Sequence, residues 1–296
     1  MLPNRECLND QSCESREVTK MIRTLRVGHS PDADDAFMFY ALARGHVKVD
    51  GYEVVHVMED IESLNRRALC GELEVTAISA ATYPCVAERY RIMASGASMG
   101  RGYGPILVSR DPTAPEDLGG RRIAIPGRHT TAFLLLCLYA DDFQPVEVPF
   151  DRIPEAVLAG DVEAGLLIHE GQITYKAMGL NKILDMGDIW QRETSLPLAL
   201  GIDVVRRDLG EDLGRRVSLA LQESIAYAFA HEEEALAYAM GYSRGVDRET
   251  CRQFILMYVN DYTRDMDEEG QQALKALYER AFQRGLIPGQ PLVHPI

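Results

Sequence analysis

The stretch Gly165-Leu166-Leu167-Ile168-His169-Glu170 decides how the chain is read. Its consecutive apolar residues predict a short strand, buried on both faces of a parallel sheet. The strand delivers a histidine and a carboxylate, and Gly171 breaks it. In open α/β sheets ligands sit outside the carboxyl ends of strands, so His169 stands where chemistry happens. Imidazole titrates near neutral pH and can remove a proton as a general base, with Glu170 available to orient it. A histidine that merely bonds to a neighbouring loop would show the same spacing, so a second stretch must support the functional reading.

Pro126-Gly127-Arg128-His129-Thr130-Thr131-Ala132 supplies it, joining a predicted strand at 122–125 to a predicted helix at 130–139. Glycine permits a tight turn, and a helix start leaves free N–H groups. With two threonine hydroxyls added, the segment is an anion pocket suited to carboxylate or phosphate. Either threonine can also cap its own helix, and the two roles are compatible. Ser79 ends another predicted strand, 75–79, and offers similar donors. Asn65, in a predicted helix over 61–69, is a neutral two-way hydrogen-bonder able to hold a hydroxyl.

Outward from these segments the pattern is regular. Strands at 25–29, 52–57 and 75–79 alternate with helices at 36–43, 61–69 and 80–88, which implies a parallel sheet covered by helices. Further strands are expected at 90–97 and 104–109, with Gly96, Gly100, Gly102 and Gly104 marking a bend rather than a phosphate loop. Thr113-Ala114-Pro115-Glu116 fits a capping box with an early proline, and a crossing into a second lobe is expected there. A second series follows: strands at 146–149, 165–169 and 182–186 and a helix at 153–159. The apolar run 196–205 would return the chain to the first lobe. Residues 209–285 read as helical, with Leu213, Val217, Leu221, Ile225 and Ala228 on one core face. Glu232–Glu234 and Asp267–Glu269 suit helix starts. The expected organisation is a disordered tail over 1–22, a first lobe of 23–110 with 206–296, and a second lobe of 111–205. Two crossings of this kind make an α/β clamp with a cleft between its lobes.

Composition narrows the function classes. The chain has 296 residues, 46% of them hydrophobic, and a formal net charge of −14. Such a charge argues against nucleic acid or an anionic membrane as partner. No run of about 18 apolar residues is present to span a membrane. The six cysteines form no zinc-like set or disulfide framework, and Cys70 and Cys137 read as core, which suits a reducing, cytoplasmic compartment. No Gly-x-Ser-x-Gly elbow occurs. His29 with Asp32, Asp34 and Asp35 offers metal-capable side chains, but the cluster is short and runs into a helix start. A cap is therefore the expectation, and no metal.

At these residues the chain resembles the menaquinone-biosynthesis family of the futalosine route, in its naphthoate-forming branch. The resemblance rests on Glu59–Arg66, Gly100–Pro105, Pro126–Ala132, Ala164–Glu170, Leu196–Leu209 and Tyr258–Asn260, with Gly-Arg-His-Thr-Thr-Ala and Leu-Ile-His-Glu the specific segments. It implies a periplasmic-binding-protein type fold put to enzymatic use. It further implies conversion of cyclic de-hypoxanthine futalosine to 1,4-dihydroxy-6-naphthoate without cofactor, a small carboxylate-bearing substrate, and His169 as general base. Asn65, Ala77, Ile78, Ser79, Thr131 and Ala132 are the implied substrate contacts. The chain departs from the family's usual Ser-Pro-Cys-Pro-Asn-Asp-Thr at Ser30–Ala36, and from its frequent lysine at Ala77. A non-catalytic solute-binding protein and a chorismate dehydratase-like relative are the competing expectations for the same clamp.

Overall fold

Asp32 ends the first extended segment because its carboxylate accepts the Asp35 N–H, capping the helix that follows. The same logic of apolar strand, polar turn and capped helix repeats along the chain. The computed structural model describes residues 23–296, so the expected tail over 1–22 lies outside the described residues. Strands are β1 (Arg23–His29), β2 (Tyr52–Met58), β3 (Val75–Ser79), β4 (Tyr90–Ile92), β5 (Ser98–Gly100), β6 (Ile106–Ser109), β7 (Arg122–Ile125), β8 (Gln144–Glu147), β9 (Ala164–Leu167), β10 (Asn181–Asp185) and β11 (Leu198–Arg206). Interleaved helices are α1 (Ala33–Met38), α2 (Tyr40–Ala43), α3 (Ile61–Cys70), α4 (Tyr83–Val86), α5 (Thr131–Tyr139), α6 (Ile153–Ala159), α7 (Gly171–Thr174) and α8 (Met186–Thr194). The chain ends in α9 (Glu211–Ala230), α10 (Glu232–Ala239), α11 (Arg248–Tyr258), α12 (Asp261–Arg264) and α13 (Glu268–Gln283).

Two sheets result. The first has the order β2-β1-β3-β11-β4, with β5 also on β11; the second has the order β10-β6-β9-β7-β8. The βαβ units are parallel as expected: β1 with β2 and β3, and β7 with β8 and β9. The sheets are not wholly parallel, however. β11 runs antiparallel to β3, β4 and β5, and β6 runs antiparallel to β9 and β10. These are the strands that carry the chain between sheets. β9 is accordingly parallel to one neighbour and antiparallel to the other.

Strand membership also differs from the segmentation drawn at 111 and 205. β6 already belongs to the second sheet, and all of β11 belongs to the first. The passages therefore fall at 101–105 and 195–197. Thr113–Glu116 is no capping box. A 3-10 turn over Pro115–Leu118 follows Ala114 without a side-chain cap, and Thr113 Oγ1 donates to the Asp111 carbonyl at 3.0 Å.

One apolar cluster runs through both sheets, joining Ile78, Ile202 and Val204 to Leu107, Ile123, Ile125 and Leu166. A second lies where β1 and β3 meet α1, α9, α10 and α11, with Phe37, Leu221, Ile225 and Phe254 at its centre. Cys70, expected in the core, is exposed at the end of α3, and Cys137 is half-buried. No helix is long and apolar enough to cross a membrane among the described residues.

The helix α8 seals the first passage. Its Trp190 is fully buried and donates Nε1–H to the Pro197 carbonyl at 2.9 Å. A Cβ on Gly187 would overlap the backbone of Tyr103 and Gly104, which cannot give way as a side-chain tip does. Gly187→Ala is expected to cost about 1–3 kcal/mol by overpacking. Urea denaturation measures it, and an unchanged midpoint would show that the docking of α8 on the passage is loose.

Candidate active site

A cavity opens between the sheets at the carboxyl ends of their parallel strands. It is lined by Ser30, Asp32 and Asp34 from the β1–α1 turn, Ala77, Ile78 and Ser79 of β3, and Ile202 of β11. From the second sheet come Thr131 and Ala132 at the start of α5, and Ile168 and His169 after β9. Six of the seven residues singled out from sequence therefore meet at one cavity. The seventh, Asn65, stands behind it and is fully buried. Its Oδ1 accepts the Ser79 N–H at 2.8 Å, and its Nδ2 donates to Ser79 Oγ at 3.0 Å and to the His129 carbonyl at 3.3 Å. Asn65 thus fixes the end of β3 and ties α3 to the turn before α5.

Of the two threonine hydroxyls, Thr130 takes the capping role open to it, and Thr131 bonds across to the first sheet instead. Thr130 Oγ1 accepts the Phe133 N–H at 3.2 Å and donates to the Gly127 carbonyl. Thr131 Oγ1 donates to the Leu200 carbonyl of β11 at 2.6 Å and accepts the Ala81 N–H. Both are thereby engaged within the protein. The Phe133 and Leu134 amides are taken up by Thr130, which leaves those of Thr131 and Ala132 as the unclaimed donors of the helix start. The donors left free among the described residues at this helix start are backbone amides rather than hydroxyls.

His169 adopts a left-handed backbone, with φ 52°, as the chain turns from β9 into α7 within three residues. A non-glycine residue pays strain for this conformation, and such strain gathers at functional sites. Its Nδ1 lies 3.1 Å from Asp32 Oδ2, and its Nε2 has no hydrogen-bond partner among the described residues. The ring packs against Phe150 at 4.9 Å and Phe254 at 6.4 Å between centroids. The Glu170 carboxylate turns away from the imidazole to Arg244, 3.3 Å distant. Arg244 also donates to the Pro31 carbonyl and covers the Phe150 ring, so it joins the turn before α1 to the segment before α6.

The acidic residues are the part that sequence reading undervalued. Asp32 does cap α1, but its second oxygen faces His169. Asp32, Asp34, Asp35 and Asp203 are all buried. Burial alone would raise the Asp32 carboxyl, yet the facing imidazole and its hydrogen bonds hold it below the ordinary value. Burial, and then the neighbouring Asp32, push Asp34 and Asp35 well above it. Asp203 stands opposite Ala77 across β3 and β11, with neither oxygen bonded among the described residues, and burial raises it strongly. Further back, burial and the neighbouring His56 lower His29 to about 4. Asp32, Asp34 and His169 each bring one donor atom within 4.8 Å of the others. That spacing admits one divalent ion, yet Asp32 and His169 satisfy each other without it. Gln172 and Tyr258, joined by a 2.8 Å hydrogen bond, also line the cavity; Tyr258 lies in a segment that carries the resemblance, whereas Gln172 gave no sequence signal.

Two mixed sheets joined by two passages around a strand-end cavity define a two-lobed clamp of the periplasmic-binding-protein type. The alkanesulfonate-binding protein SsuA from Xanthomonas axonopodis has this fold, with a TM-score of 0.71 over 91% of this chain and 96% of that one at 12% identity. Within that class, the chain belongs to the menaquinone biosynthesis family, whose model matches residues 25–283. It is 46% identical over 270 residues to the 1,4-dihydroxy-6-naphtoate synthase of Thermus thermophilus, covering 91% of this chain and 98% of the relative. The crystal structure of protein AF1704 from Archaeoglobus fulgidus is similar with a TM-score of 0.86 and 54% identity, over 89% of this chain and 98% of that one.

Two outcomes follow from this geometry. Asn65→Ala strands the buried Ser79 N–H and is expected to cost about 1–3 kcal/mol in chemical denaturation; a neutral effect would mean that the end of β3 needs no anchor. Asp203 gives a pH dependence. An unfolded aspartate ionises near about pH 4, whereas folded Asp203 holds its proton to higher pH. Above about pH 4 the folded state therefore binds more protons, and stability falls as pH rises towards the folded value. The thermal-midpoint advantage of Asp203→Asn over the parent should widen from about pH 4 to about pH 8. A pH-independent difference would show that Asp203 ionises normally.

Proposed function

We propose that this chain converts cyclic de-hypoxanthine futalosine to 1,4-dihydroxy-6-naphthoate, a carbon–carbon lyase step of menaquinone biosynthesis in the cytoplasm, with His169 as general base. The observation that carries the reading is the His169 imidazole at the inter-sheet cavity, with Nδ1 on Asp32 and Nε2 unpartnered. Membership of the menaquinone biosynthesis family and the name borne by the Thermus relative support the same step. Nε2 takes a proton from the carbon next to a substrate carbonyl, carbon–carbon cleavage follows, and aromatisation of the product draws the reaction forward.

The substrate is a small carboxylate-bearing molecule. Its carboxylate sits on the Thr131 and Ala132 amides at the positive end of α5. Ala77, Ile78 and Ser79 form the opposing wall, and Asn65 acts through Ser79. Asp34 and Asp35 hold their protons more tightly than ordinary carboxyls, which suits them to donate to substrate oxygens without repelling an anion. In this reading two lobes, close to the expected 23–110 with 206–296 and 111–205 but with β6 in the second and β11 in the first, close over the substrate.

The test is incubation with the cyclic compound, following the naphthoate by absorbance and mass. His169→Gln is expected to lower kcat by about 10²–10⁴-fold. Undiminished turnover in that variant would remove the proposed base. Tight binding by the parent without turnover would favour a solute-binding protein instead.

A further inference from the structure

We propose that Asp32 is the positioning residue for His169, and that it sets the imidazole only when the two sheets are brought together. The pair joins elements from opposite sides of the cavity. Asp32 belongs to the β1–α1 turn of the first sheet, and His169 to the end of β9 in the second. Neither element can supply the contact alone.

Both oxygens of Asp32 are committed. Oδ1 accepts the Asp35 N–H, and Oδ2 faces His169 Nδ1 at 3.1 Å. The residue is 1% exposed, so its carboxylate has no alternative solvent-facing rotamer. A carboxylate is an acceptor only, so the ring nitrogen facing it carries the hydrogen. In the neutral ring the lone pair is then left on Nε2, the nitrogen with no partner. Phe150 and Phe254 flank the ring, and the left-handed backbone of His169 fixes where it starts. The groups facing the pair are Asp34 from α1, Glu170 beside the histidine, and Arg244, which is engaged with Glu170. A proton on Asp34 keeps two adjacent carboxyls from both being charged. The contact thus does two things at once: it selects the tautomer, and it makes that selection conditional on the cleft being closed.

This inference rests on the reading of His169 as the base, but its first test needs no turnover. Protein labelled with ¹⁵N in its histidines and freed of metal with EDTA is examined by imidazole NMR, with His169→Gln identifying the His169 signals. The Nδ1–H tautomer, with unprotonated Nε2, is expected in the parent. Asp32→Asn should shift His169 towards Nε2–H or a mixture, because the asparagine amide can donate to Nδ1. Asparagine caps a helix as well as aspartate does, so the fold is retained. In turnover, Asp32→Asn is expected to lower kcat by about 10²–10⁴-fold while KM changes by less than about threefold. An Nε2–H tautomer in the parent, or an unchanged tautomer in Asp32→Asn, would overturn the inference. Absence of turnover in the parent would instead overturn the reaction proposed above, and the NMR result would still decide the role of Asp32.

Discussion

The antiparallel pairing of β11 on β3 is the constraint on which the rest of the molecule depends. From Gly201 opposite Ser79 to Val205 opposite Val75, it returns the chain from the second sheet to the centre of the first. It sets the depth of the cavity, because Ala77–Ser79 and Ile202 line it from paired strands. It also presents the Leu200 carbonyl to the Thr131 hydroxyl, so the start of α5 is held against the first sheet. The apolar cluster shared by the two sheets then forms around this junction, and α8 seals it with Trp190.

The cavity so formed has two chemically distinct ends. At one, backbone amides of a helix start favour negative charge. At the other, buried Asp32 and Asp34 gather around one imidazole, whose neighbour Glu170 is paired with Arg244. Burial and mutual repulsion both favour the protonated form of clustered carboxyls. The structure resolves this unequally. Asp32, facing His169, is held below the ordinary carboxyl value, whereas burial pushes Asp34, Asp35 and, behind them, Asp203 well above it. One side of the cavity is thereby suited to accept a hydrogen and the others to donate one.

Much of this was legible in the sequence. The βαβ units, the strand ending at Ser79, the helix entered through Thr130 and the histidine after β9 follow from period, punctuation and capping, all of which act over a few residues. Asp32 shows the boundary of that reading. Its role as a cap is local and was readable; its second oxygen meets a histidine far along the chain, and no local pattern signals that. The same holds for Asn65, read as a contact with substrate but spent on Ser79 and His129, and for Thr131, whose hydroxyl goes to β11. β6 was read with the first lobe because Thr113–Glu116 looked like a boundary, although hydrogen bonding to β9 and β10 puts it in the second sheet.

By itself, then, the sequence determined the local alternation of strand and helix, the placement of His169 and the α5 amides at strand and helix ends, and the chain's acidic charge. Tertiary structure alone decided which carboxylate meets the imidazole, which hydroxyls are already engaged, and where the chain passes from sheet to sheet. The physical reason is range. Hydrophobic period and capping are fixed by neighbours in the chain, whereas a hydrogen bond between two lobes exists only after long-range strand pairing has brought its partners within about 3 Å.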